Sequence, residues 1–288
     1  MEFWQNSINV LVLGSIYVLI AVGLSMIYGI LRVLHIAHAG IYTLGAFLSL
    51  SIMEVTGNFW IALILSAIIS GFLGALMYRY VYKFVLKEER IVPLIVSVGL
   101  FITMQDLYRI IYGPYKYPFS ISIPIPYIRA GNFYISPLQM LILIITGIIL
   151  IGLYFVLNKT RIGVGLKACA NDSQMAAAVG VNTKLTIALA FFMGSALAAV
   201  AGTLVGVYDN SVYPTMGSTV SYKAFVVVVL GGFGSLKGSV IAGFLLAAAE
   251  VFLVAWKGFF LPRDAIGFLV MILFLIFLPN GLFGRKER

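Results

Sequence analysis

Charge is scarce in this chain. Of 288 residues, Lys, Arg, Asp and Glu make up 10%, against 62% hydrophobic residues. So small a polar complement cannot cover the surface of a soluble domain, and it marks an all-α, polytopic membrane protein. In a soluble protein the net charge of +9 would suggest nucleic acid. Here the basic residues fall in short loops between apolar runs, where they set orientation, and no nucleic-acid partner is expected. The lone cysteine, Cys169, excludes an intrachain disulfide and suits a reducing cytosol; it reads as a small packing residue. Histidine is limited to His35 and His38, with no Cys, Asp or Glu nearby to complete a metal site, so a structural role is expected for the pair. No Gly-Lys-Ser or Gly-Lys-Thr occurs, and Lys237-Gly238-Ser239 has the order of a phosphate loop reversed. The chain is therefore expected to be no enzyme, to hold no cofactor or metal, and not to hydrolyse ATP by itself. The start, MEFWQNS, places no Lys or Arg before the first apolar run and does not read as a cleaved signal peptide.

Long apolar runs, by contrast, are abundant. A helix crosses a bilayer in roughly 20 residues, and candidate segments lie at 9–31, 38–55, 58–80, 91–112, 136–157, 185–208, 219–230, 239–256 and 264–278. Nine spans is the best count in a range of about eight to ten, some of them broken or re-entrant, within a single membrane domain covering 1–288. With the N-terminus outside and the C-terminus inside, the inner loops receive Arg32, Arg79, Lys83, Lys87, Arg90, Lys159, Arg161, Lys167, Lys184, Lys237, Arg285, Lys286 and Arg288. Only Arg109, Lys116, Arg129, Lys223, Lys257 and Arg263 fall on the other side, as the positive-inside rule requires. The outer loop 113–135 contains Pro114, Pro118, Pro124 and Pro126, which predicts an extended, semi-rigid cover.

The loop 158–184 is a cytoplasmic basic island. Asn171 as a cap, Gln174 three residues on and Gly180 as a stop predict a short helix over about 172–179. Too short to persist alone in water, it is either a rigid connector or a knob that another protein grips. Gly194, Ala198, Gly202 and Gly206 recur every four residues, a stripe that lets helices approach closely; internal packing is favoured over a dimer face. Gly71 and Gly74 repeat the pattern weakly. Gly231, Gly232, Gly234 and Gly238 break any helix, giving either a broken span lining a path or a tight turn between two helices. Ionisable groups inside spans need partners: the depths of Lys223 and Glu250 fit an ion pair between antiparallel neighbours, and Asp106 with Arg109 fits a local one. No chain of carboxylates and histidines crosses the membrane, which disfavours a proton-driven carrier.

Several blocks carry a resemblance. Gly14-Ser-Ile-Tyr-Val-Leu-Ile-Ala-Val-Gly-Leu-Ser-Met-Ile-Tyr-Gly29, then His35-Ile-Ala-His-Ala-Gly-Ile-Tyr-Thr-Leu-Gly-Ala-Phe47, look like the start of the permease subunits of branched-chain amino-acid ABC importers, the LivH/LivM type. The likeness recurs at Ala168 to Asn182, at Val229 to Ser239, and at Arg263-Asp-Ala followed by Leu278-Pro-Asn-Gly-Leu-Phe-Gly-Arg285. The blocks follow family order along nearly the whole chain. The resemblance implies a multi-pass subunit of the cytoplasmic membrane that forms the translocation path. Its implied partners are a second permease (identical or related), two cytoplasmic ATPases through which ATP acts, and an extracytoplasmic solute-binding protein. It also implies that Asp172, Ser173, Gln174, Met175, Ala176, Ala177, Ala178, Val179, Gly180, Val181 and Asn182 form the helix that docks on the ATPase. The ABC-importer signature there is Glu-Ala-Ala, three residues, then Gly; this chain has Gln174, Met175 and Ala176, with Gly180 in register. Near His38 the family pattern Asn-Phe-Ala-His-Gly-acid becomes His35-Ile-Ala-His38-Ala-Gly40. His38, Gly40, Lys223, Gly231, Gly232, Gly234 and Glu250 are candidates for the path or for holding it together. The other function class open to these residues is a stand-alone carrier or channel with the island as a mere connector. Branched-chain amino acids, urea and short amides all remain open as solutes.

Overall fold

A computed structural model of the chain describes residues 2–89, 91–121, 128–130, 133–256, 262–278 and 281–283. Outside them lie Arg90, Pro124, Pro126, Lys257, Arg285, Lys286 and Arg288 of the loops read above. The helices are α1 (Glu2–Leu31), α2 (His38–Thr56), α3 (Phe59–Met77) continuing through a π-turn (Tyr78–Tyr82) into α4 (Lys83–Val85), and α5 (Ile91–Tyr112). After a hairpin of β1 (Ile128–Ala130) and β2 (Phe133–Ile135) come α6 (Pro137–Lys159), α7 (Arg161–Asn171), α8 (Ser173–Ala178), α9 (Thr183–Tyr208), α10 (Met216–Gly231), α11 (Leu236–Ala255) and α12 (Arg263–Phe277). Among the described residues, seven helical stretches are long and apolar enough to cross a membrane, and two more, Met216–Gly231 and Ala265–Phe277, are apolar but shorter.

Local chemistry sets the ends. Asn58 accepts from the backbone N–H groups of Trp60 and Ile61 to start α3, and Ser136 with Gln139 forms a reciprocal capping box with Pro137 at the first position of α6. Three helix starts differ from the sequence reading. α1 begins at Glu2, not near residue 9, because its polar first turns continue the same helix. α10 begins at Met216, where a Tyr213–Met216 turn leads in. α11 begins at Leu236, not 239, where Ser235 accepts from Gly238 N. The loop after α5 is tied down by paired backbone bonds between Tyr117 and Val212, and it ends in the short antiparallel pair β1–β2.

α1 is the axis of the molecule. Val12, Val18, Leu19, Ala21 and Ile27 are fully buried, and α1 packs against α6, α7, α9, α10 and α11. α9 packs against α1, α2 and α3, and its small-residue stripe faces inward. A Cβ on Gly23 would come within 2.8 Å of the Gly194 carbonyl, and one on Gly194 within 2.8 Å of the Gly23 carbonyl. Farther along α9, Gly202 lies against the Tyr42 carbonyl of α2, while Gly71 of α3 abuts Phe192 and Gly74 abuts Ser195. The stripe is thus an internal seam.

Two breaks shape the interior. After Leu31 the chain turns at Arg32, which has φ 54°, and residues 32–37 form a bend and a turn that bury Val33, His35 and Ala37. α2 starts where His38 Nε2 meets the Ile20 carbonyl at 3.3 Å. Ile20 lies eleven helical steps from Leu31, so the His38 ring sits ~16 Å along α1 from its end. Segment 32–37 therefore re-enters the bundle. The glycine run 231–238, in contrast, is a tight turn: Gly231 sits on the Gly238 backbone, and Gly234 meets Gly29 near the end of α1. Gly232 (φ 92°) and Gly234 (φ 76°) take backbone conformations that a side chain would strain. Leu282 and Phe283 then donate their N–H groups to the Leu230 and Gly231 carbonyls at 2.8 and 3.1 Å, closing the end of α10.

Candidate functional site

The basic island folds into two short helices. Thr160 ends α6 and starts α7, its hydroxyl accepting from Gly163 N at 3.2 Å. Sequence reasoning missed α7 because Gly163 and Gly165 lower its intrinsic propensity. Packing against α6 and α9 holds it, and its inner face buries Gly163, Gly165, Leu166 and Cys169. Cys169 is a packing residue as expected, and burial pushes its thiol up, against a smaller opposing effect of Thr186. An inert thiol results.

The second helix, α8, is capped by Asp172, not Asn171. Asp172 has extended backbone (φ −155°, ψ 111°), and its carboxylate accepts from Gln174 N at 2.8 Å and Met175 N at 3.0 Å. Asn171 is still the last turn of α7 and lacks the non-helical backbone a cap requires. Gly180 stops the helix with φ 89°, and Val181 N closes onto the Ala176 carbonyl at 3.0 Å. Asn182 at once caps α9 through Leu185 N at 3.2 Å. Ala176 is buried, while Met175 is 67% and Val179 79% exposed. One turn apart, they form a two-residue apolar knob on a helix pinned at both ends. Covering each side chain would contribute about 1.5–3 kcal/mol.

A half-open cavity of about 420 Å³ lies between α1, α5, α10 and the re-entrant segment. Ile20 and Leu24 line it from α1; Leu34, His35, Ile36, His38 and Ala39 from the re-entrant segment and the start of α2; Leu94 and Phe101 from α5. Ser218, Val220, Ser221, Tyr222, Ala224 and Phe225 line it from α10. Both histidines are buried, and each has one ring nitrogen engaged: His35 Nδ1 with the Tyr82 hydroxyl at 2.7 Å, and His38 Nε2 with Ile20. The remaining nitrogens, His35 Nε2 and His38 Nδ1, have no partner among the described residues. Ser97 accepts from Ala37 N at 3.0 Å and so holds the re-entrant segment to α5.

Of the other sequence candidates, Gly40 stands behind the cavity: its Cβ position would meet Met104 Sδ at 2.7 Å, and its carbonyl accepts from the Tyr108 hydroxyl at 3.0 Å. Gly231, Gly232 and Gly234 form the turn described above, apart from the cavity lining. Lys223 and Glu250 do pair, at 3.1 Å, with 8% and 0% of their side chains exposed. Sequence reasoning missed their third member. The Tyr17 hydroxyl donates to Glu250 Oε2 at 2.7 Å and accepts from Lys223 Nζ at 2.8 Å. A phenol in the middle of an apolar run has to place its hydroxyl on some polar partner, which is the signal that would have pointed to it. Asp106 and Arg109 form the expected local pair at 2.9 Å, exposed on both sides, and such a pair contributes little.

Comparisons with known proteins agree along the whole chain. A family profile described as "Branched-chain amino acid transport system / permease component" matches residues 6–278. The high-affinity branched-chain amino acid transport system permease protein BraD of Pseudomonas aeruginosa is 33% identical, the alignment covering 99% of this chain and 97% of BraD. LivH of Salmonella typhimurium, a permease protein of the same description, is 32% identical over 99% of this chain and 96% of its own length. A solved structure titled "PsaBC from Streptococcus pneumoniae in complex with Fab" shares 14% identity and a TM-score of 0.51, covering 93% of this chain and 89% of that one; that likeness is one of fold alone.

Proposed function

The chain belongs to the family of branched-chain amino acid transport permease components, and on that premise we propose that it is the membrane subunit of an ATP-driven importer of branched-chain amino acids. In this reading 1–288 is one permease domain in the cytoplasmic membrane, with nine spans, the N-terminus outside and loop 158–184 in the cytosol. The positive-inside distribution of Lys and Arg supports that orientation. Two ATPases, a second permease and an extracytoplasmic solute-binding protein complete the assembly. ATP acts through those partners, and no cofactor is held in this chain.

The observation that carries the reading is the knob on α8. An exposed Met175–Val179 pair on a helix capped by Asp172 and stopped by Gly180 is built to transmit a push, because a rigid element moves as a body when a partner closes around it. Gln174 replaces the acid of the family signature, so the grip is apolar here. We expect Met175→Glu with Val179→Glu to reduce co-purification of the ATPase and ATP-driven leucine uptake at least tenfold, since each buried apolar contact is worth about 1.5–3 kcal/mol, while the permease itself stays folded. Unchanged ATPase capture and uptake in the double variant would refute the docking role.

A further inference from the structure

We infer that the cavity between α1, α5, α10 and the re-entrant segment is a solute berth, which takes the hydrocarbon side chain of the transported amino acid. The inference rests on the transport reading above and names the place in this chain where the solute is held. At about 420 Å³ the cavity is within the ~300–1,000 Å³ range of small-molecule sites, ample for one amino acid. Ile20, Leu24, Leu94, Phe101, Val220 and Phe225 give it apolar walls, and among the described residues no Lys, Arg, Asp or Glu lines it. A cavity without a counter-ion penalises any charged group that enters it. The apolar part of a zwitterion therefore enters, and its charged ends stay at the rim.

The polar atoms available suit that division. Ser218 is exposed and accepts from Gln105 Nε2 at 2.6 Å, giving a polar rim where the ends of the zwitterion can sit. Deeper in, His35 and His38 each spend one nitrogen on a protein partner and keep one unpartnered among the described residues. Those nitrogens can hold a water or a solute polar group without adding charge. Leu34, His35 and Ile36 also line the cavity, and they belong to the bend and turn of the re-entrant segment, so this part of the wall is non-helical backbone and not a packed helix.

The test uses the complete importer in proteoliposomes, with leucine and valine supplied together. Any preference imposed by the binding protein cancels when variants are compared with wild type. Val220→Phe fills the cavity, and uptake of leucine relative to valine should fall about tenfold, the scale of discrimination that one methylene gives in an apolar pocket. Phe101→Ala enlarges it, and the ratio should shift the opposite way. Opposite shifts cannot come from general misfolding, which lowers both uptakes together. If wild type imports both solutes on ATP and the two variants leave the ratio unchanged, or move it the same way, the berth is overturned and the transport reading stands. If wild type imports neither, the transport reading itself fails.

Discussion

α1 and α6 are both long, strongly apolar helices, yet their most hydropathic windows are 83% and 22% buried. Hydropathy therefore says that a helix belongs in a membrane environment and nothing about which helix the others gather around. The glycines carry that information. Gly14, Gly23 and Gly29 of α1 each lie against a neighbouring helix or turn, whereas Gly147 and Gly152 of α6, like Gly99 of α5, have nothing within 4 Å of a Cβ position. In the centre a glycine is a contact; on the belt it is only a helix residue of low propensity. With no hydrophobic drive between helices in lipid, such close approach, together with a few polar bonds, is what holds the centre together.

Three substitutions would break or sharpen this contrast. Glu250→Gln should have the largest effect: it strands the Lys223 ammonium in the interior and should destabilise by about 3–5 kcal/mol, seen as a lowered thermal midpoint in detergent. The double change Lys223→Met with Glu250→Gln should recover much of the loss; a double variant as unstable as the single one would mean the pair is not the source. Gly194→Val comes next. Its new atoms would press on the Gly23 carbonyl and Ile27, and overpacking of this kind costs about 1–3 kcal/mol or more. Smallest of all is Gly147→Ala on the belt, expected to be neutral or to stabilise by up to about 1 kcal/mol through helix propensity. If Gly194→Val and Gly147→Ala proved equally harmless by thermal melting, the distinction between centre and belt would not hold.

What could be read from the sequence follows from the range of each signal. The apolar runs and the basic island are local patterns, and the described helices fall on them. Lys223 and Glu250 were readable as partners because an ionised group in hydrocarbon needs one and few candidates existed. Tyr17 was not, since tyrosine is tolerated in spans without comment until its hydroxyl is placed. The cap moved from Asn171 to Asp172 because α7, which the sequence reading missed, runs through Asn171. Neither the cavity nor the return of 32–37 into the bundle leaves a local trace. Both depend on residues near 20, 36, 94 and 220 meeting in space, and no window of sequence contains them all.

The clasp of Leu282 and Phe283 on the last carbonyls of α10 bears on the order of assembly during synthesis. The turn between α10 and α11 is translated a full helical hairpin before the two amide donors that finish it, so α10 waits with open acceptors until Leu282 and Phe283 emerge. A nascent chain cut short before Gly281 would carry every apolar helix and still present an unfinished end to the machinery that inspects membrane proteins.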